Sequence, residues 1–161
     1  MREIRIFPDP ILRKKPAPVV RFGQPLRQIA DILEKIMRQQ PHGIGIAAPQ
    51  IGISLRLAIV DVSSRVPGAK TLILANPEIL GLEDEKSSRE GCMSIPDYSA
   101  TIKRYDFVRY RYQDLTGQWV YRESAGIEAV CIQHEIDHLH GMLFIDRVTS
   151  LKRDMIPRPR R

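Results

Sequence analysis

Residues 129–144 read AVCIQHEIDHLHGMLF and carry three of the chain's four histidines within seven positions. The order H-E-x-x-H sets His134 and His138 four residues apart. On a helix that spacing means one face and about 6 Å between side chains. Two imidazoles so placed can share one ion. Glu135, beside the first, is suited to act as a general base on water that the ion activates. Ile127, Val130 and Cys131 make the rest of that face apolar, so burying these polar groups without a ligand is costly. Ser124 is a candidate N-cap for the helix, and Gly141 falls just past its end.

A catalytic metal site needs a third protein ligand and an open position. The longer pattern H-E-x-x-H-x-x-G-x-x-H matches through Gly141 but ends on Phe144, which cannot bind a metal. No glutamate follows Glu135, and Asp146 is the one nearby downstream carboxylate. The remaining ligand is therefore expected from upstream. Cys131 lies on the same stripe, one turn before His134, but its side chain is short; it reads better as a small buried wall residue. Cys92 stands in SREGCMSIPDYS, where Gly91 and Pro96 mark an irregular segment able to approach a helix. A thiolate there would complete a Cys-His-His set, although a single loop cysteine also serves as an ordinary structural residue.

The chain is 161 residues long, 43% hydrophobic and 27% charged, the make-up of one ordinary globular domain. MREIRIFPDP has no apolar core of a leader, and no run reaches membrane-spanning length. A cytoplasmic protein with no membrane partner is expected. Two cysteines are too few for a disulfide framework. Of the net +6, an excess of +4 lies in the final SLKRDMIPRPRR. We expect a catalytic domain over 1–148 and a basic, flexible tail over 149–161, its prolines disfavouring a helix. The tail could attach to an anionic partner such as ribosomal RNA.

PLRQIADILEKIMRQQ spaces Leu26, Ile29, Ala30, Leu33, Ile36 and Met37 as an amphipathic helix, ended by Pro41 and Gly43. LRLAIVDV and TLILANPEIL read as short strands separated by the turn-rich SSRVPGAK. ATIKRYDFVRYRYQDLTGQWVYRE reads as a hairpin turning at 114–117. These elements predict an α+β fold, with mixed or antiparallel sheets around a central H-E-x-x-H helix and an N-terminal amphipathic helix.

Three segments taken together, GIGIAAPQ (43–50), EGCMS (90–94) and QHEIDHLHG (133–141), resemble in order and spacing the signature motifs of peptide deformylases. FPDPILRKKPAPV, NPEI and HGMLFIDRV are similar to that family's flanking sequence, so the resemblance runs to about Arg147. It implies removal of the N-formyl group from the initiator methionine of new polypeptides, with release of formate. It implies that Cys92, His134 and His138 hold one divalent metal, Fe(II) in cells, replaceable by zinc, nickel or cobalt. Glu135 would be the base. Gln50 and the backbone N–H of Met93 would donate to the oxyanion. Gly43, Ile44, Gly45, Glu90 and Gly91 would contact the peptide, with Ile127, Val130 and Cys131 adding an apolar pocket for methionine. The chain departs from the family at Met93, often leucine, and at Ser99, where many relatives carry an arginine or a bulky residue.

Two other readings compete: a metalloamidase acting on a different acyl group, and a basic RNA- or ribosome-binding module with a structural metal. A structural site needs neither Glu135 nor Gln50, and usually closes all four ligand positions with protein.

Overall fold

The computed structural model describes residues 3–159. The fold is α+β, built on one antiparallel sheet in the order β1-β2-β3-β4-β5, with β6 paired to β4 outside that path. The strands are β1 Gly45–Ala47, β2 Leu57–Val60, β3 Leu72–Cys92, β4 Ile95–Gln113, β5 Trp119–Ala125 and β6 Met155–Pro157. Helix α1 spans Gln24–Gln39, α2 Gly126–His138 and α3 the single turn Leu151–Asp154.

α1 buries Leu26, Ala30, Leu33, Ile36 and Met37 against Ile46, Leu57 and Ile59. α2, which carries the two spaced histidines, is buried on nearly every side, with Ala129, Ile132 and Ile136 packed against Val60, Leu74, Val108 and Tyr110. Its start differs from the expectation. Ser124 belongs to β5, where it faces Val108. Its hydroxyl is shared between Tyr110 Oη at 2.8 Å and Glu128 Oε1 at 2.5 Å. Ala125 occupies the N-cap instead.

β3 runs twelve residues beyond the apolar stretch that predicted it, from Gly81 to Cys92. The extension, LEDEKSSRE, has no apolar alternation because its ribbon with β4 is mostly exposed. Cross-strand pairs stand in for a buried face: Arg109 with Glu83 at 3.2 Å, Lys103 with Glu85 at 3.3 Å, and Lys86 with Asp106. Cys92, expected in an irregular loop, therefore ends a strand, with a register shift after Gly91 and a tight turn at 93–94.

The outer edge of β4 is covered piecewise. β5 pairs with residues 107–113 and β6 with residues 98–100. Between them the side-chain amide of Gln133 on α2 behaves like a strand. Its Oε1 accepts from the Tyr105 N–H at 3.0 Å, and its Nε2 donates to the Tyr105 carbonyl at 2.7 Å. The basic segment after residue 149 lies against the sheet through β6, with Met155 packed beside Ile102 and Phe144. Arg160 and Arg161, the last charges of that segment, lie outside the described residues. Among the described residues, no helix is long and apolar enough to cross a membrane.

Asn76 holds the start of the chain to the sheet. It adopts a left-handed φ of 49°, which asparagine tolerates better than most residues. Its Oδ1 accepts from the Val19 N–H at 2.8 Å, and its Nδ2 donates to the Val19 carbonyl at 3.0 Å and to Gln113 Oε1 at 2.7 Å. Asn76→Ala loses those bonds and keeps the strained φ. It is expected to cost about 2–3 kcal/mol in denaturant unfolding, with Asn76→Gly recovering only the backbone part.

Candidate metal centre

The ends of β3 and α2 meet at one point. Cys92 Sγ, His134 Nε2 and His138 Nε2 are the ligand atoms of the three side chains, all within 4.8 Å of one another. The His138 nitrogen is 3.2 Å from that of His134 and 3.4 Å from the sulfur. Cys131 stays out of the cluster: its thiol points to the Ile44 carbonyl at 3.5 Å, and burial pushes its pKa well up, helped by the charge of Glu135. Phe144, which took the place of a third histidine in the longer pattern, stacks on His134 with ring centroids 6.4 Å apart.

The donor set fits a cation. His134 turns its Nδ1 to Glu90 Oε1 at 2.8 Å, so with a proton on Nδ1 its Nε2 lone pair faces the cluster. Two ring nitrogens 3.2 Å apart cannot both direct a proton at each other. Burial pushes the Cys92 thiol up, yet the charge on His138 and hydrogen bonds from both histidines hold it well below its ordinary range. His134 is lowered by burial and raised more strongly by Cys92 and Glu90, ending well above its usual value. A lowered thiol and two ring nitrogens turned to one point make a donor set that suits a divalent cation.

A buried ion network supports the cluster from behind. Arg104 is 2% exposed. It donates to both Glu90 oxygens, at 2.6 and 2.9 Å, and to Asp137 Oδ2 at 2.7 Å. Arg147 also donates to Asp137, at 2.7 and 2.8 Å. Burial raises the Glu90 carboxyl, but His134 and Arg104 outweigh it and bring it to about 2. Arg104 and Asp137 were absent from the residues chosen from sequence. Arg104 lies among the several cations of the hairpin segment 100–123, where its charge alone does not set it apart. Strand parity was the signal that could have found it, because Ala100, Ile102, Val108, Tyr110 and Tyr112 are all buried at alternate positions of the same strand.

A cavity of about 1190 Å³ opens onto the cluster and reaches Cys92, His134 and Glu135, while His138 is enclosed behind them. Glu135 is buried, its Oε1 has no hydrogen-bond partner among the described residues, and burial raises its pKa. Gly45 makes room for it: a Cβ there would lie 2.6 Å from Glu135 Oε2 and 2.7 Å from Cys131 Sγ. Gln50, 1% exposed, has its amide orientation set by the Ala47 N–H, which donates to Oε1 at 2.9 Å. The Nε2 then points to Ser94 Oγ at 3.1 Å and Cys92 Sγ at 3.5 Å. Ser94, which sits inside the cysteine motif but was not singled out from sequence, thus helps to aim Gln50. Met93, Gly43, Gly91 and Glu90 line the same cavity, and Ile44, Ile127, Val130 and Cys131 form an apolar wall.

A family model described as polypeptide deformylase matches residues 1–154. The chain is 45% identical to a peptide deformylase from Bartonella tribocorum, covering 98% of this chain and 90% of that protein. It superposes on the crystal structure of peptide deformylase from Thermotoga maritima with a TM-score of 0.85 at 38% identity, covering 93% and 99% of the two chains. A Met-Ala-Ser-bound class I type b peptide deformylase from Acinetobacter baumannii gives 0.84 at 34% identity, covering 92% and 98%. The chain therefore belongs to the polypeptide deformylase family, metal-dependent hydrolases that remove the N-formyl group from nascent polypeptides.

Proposed function

We propose that residues 1–148 form a catalytic domain in which Cys92, His134 and His138 hold one divalent cation, Fe(II) in the cell, with zinc, nickel or cobalt able to replace it. The observation that carries this is the convergence of one sulfur and two Nε2 atoms at the end of an open cavity, beside a buried carboxylate with one oxygen unpartnered among the described residues. When bound, the cation supplies a Lewis acid that polarises the formyl carbonyl and acidifies water.

The chain's own residues do the rest. The apolar wall takes the methionine side chain, and Gly43, Ile44, Gly45, Glu90 and Gly91 border the extended peptide. Glu135 accepts a proton from the attacking water, a task helped by the raised pKa of its carboxyl. The water oxygen bonds to the formyl carbon. Gln50 Nε2 and the Met93 N–H donate to the developing oxyanion, and losing one such donor typically costs about 100- to 1,000-fold. Glu135 then returns its proton to the amine as the C–N bond breaks, leaving formate and a free N-terminus. The setting is the cytoplasm, where nascent chains begin. The basic segment 149–161 adds an electrostatic attraction to ribosomal RNA that weakens with salt.

Anaerobically prepared protein is expected to release formate from formyl-Met-Ala-Ser. Glu135→Ala should retain metal and lose about 100- to 10,000-fold in turnover; unchanged turnover would remove the base. Glu90→Gln loosens the hold on His134 and should weaken metal binding by about 10- to 100-fold in a chelator competition. Glu90 also supplies a pH test. Because its folded pKa is depressed, metal-free wild type keeps the Glu90 contribution above about pH 4.3. It loses that contribution as pH falls toward about 2. Glu90→Gln should lack this part of the acid dependence, read from unfolding midpoints across the range.

A further inference from the structure

The cavity has an outer wall made by the end of the chain. β6 lays Ile156 opposite Ser99 and Pro157 opposite Tyr98, and the Arg158 N–H continues the pairing onto the Asp97 carbonyl at 2.8 Å. That hold carries Arg158 over Gly91. Its Nη1 is 3.0 Å from where a Cβ on Gly91 would stand, so the glycine leaves the space the guanidinium uses. Both residues line the cavity, as do Arg65, Lys86 and Arg89.

The charges here do not cancel. Of the acids lining the cavity, Glu90 is buried against Arg104 and His134, and Glu135 is buried beside the ligand cluster. Lys86 is paired with Asp106. Among the described residues, the outer rim is lined by Arg65, Arg89 and Arg158, with Asp97 the further acid that lines it. Ser99 lines the same wall, buried, with its Oγ lacking any hydrogen-bond partner among the described residues.

We propose that this rim is a subsite for a substrate carboxylate, and that Arg158 makes the enzyme favour formylated peptides with aspartate or glutamate as their second or third residue. The proposal rests on the deformylase reading and adds a substrate class to it. Gly91 is the neighbour of Cys92, about 3.8 Å away along the chain, and an extended peptide advances about 3.3 Å per residue. With the formyl group at the ligand cluster and the first side chain against the apolar wall, a guanidinium over Gly91 faces the next one or two residues. Because Arg158 is exposed, its effect is that of a screened ion pair.

The test compares kcat/KM for C-terminally amidated pairs, formyl-Met-Ala-Glu with formyl-Met-Ala-Gln and formyl-Met-Glu-Ser with formyl-Met-Gln-Ser. Wild type should prefer the acid in at least one pair by about two- to fivefold, the worth of an exposed ion pair. The preference should shrink as salt shortens the screening length. Arg158→Gln should bring the ratio to one, and Arg158→Glu should invert it in favour of a lysine peptide. Calorimetric binding of the deformylated Met-Ala-Glu and Met-Ala-Gln amides should show the same difference in affinity without turnover. A ratio of one in wild type overturns the subsite, and an equal preference in wild type and Arg158→Gln overturns its assignment to Arg158. Failure to deformylate the neutral peptides would instead overturn the activity beneath it.

Discussion

The guanidinium of Arg104 is the point on which the architecture turns. It comes from β4 and is enclosed by Glu90 from β3 and Asp137 from α2. Removing it would leave Glu90 buried with His134 and Asp137 with Arg147 as their remaining partners, a loss of about 3–5 kcal/mol for a broken buried pair. The residues of the candidate metal centre are neighbours of these acids in sequence. Cys92 follows Glu90 by two residues, and Asp137 directly precedes His138. The contact that neutralises the acids therefore also brings the sulfur and the imidazoles together. The ion network and the ligand cluster are two sides of one junction between a strand pair and a helix.

That junction sets the electrical character of the site. Glu90 stays ionised through Arg104 and directs the ring of His134; Cys92 is held toward thiolate by the histidines. Glu135 feels the opposite balance, since burial raises its carboxyl and the imidazoles only partly offset it. Two glutamates on one cavity are thus driven apart, one fixed as an anion and one poised to take a proton. One cavity thus holds one glutamate kept anionic and another whose carboxyl is raised.

Much of this was readable from residue order. The stripe of α1 and the spacing of His134 and His138 follow the helical period, and the hairpin of β4 and β5 follows the turn at Asp114 and Gly117. What periodicity could not show was the polar extension of β3, because a ribbon exposed on its faces has no buried side to mark it. The site divides in the same way. Local spacing exposed the two histidines and the glutamate. Cys92 was one candidate among the upstream residues and was singled out by resemblance, because its nearness to the helix rests on a contact 46 residues apart in sequence. Arg104 and Arg158 were hidden by their type: a charged side chain reads as solvated until the partner that buries it, or the strand that carries it over a cavity, is known.

The side-chain amide of Gln133 bears on motion as well as on pairing. It ties α2 to the stretch of β4 between those that β5 and β6 cover, and the next residue along the helix is His134. Fraying of the sheet edge there must first break both bonds to Tyr105. Opening of the helix must break the same two. Local breathing at the cavity floor is thereby merged with fraying of β4 itself, so amide exchange around the histidines should belong to a slow, more global class of opening rather than to a loose active-site lid.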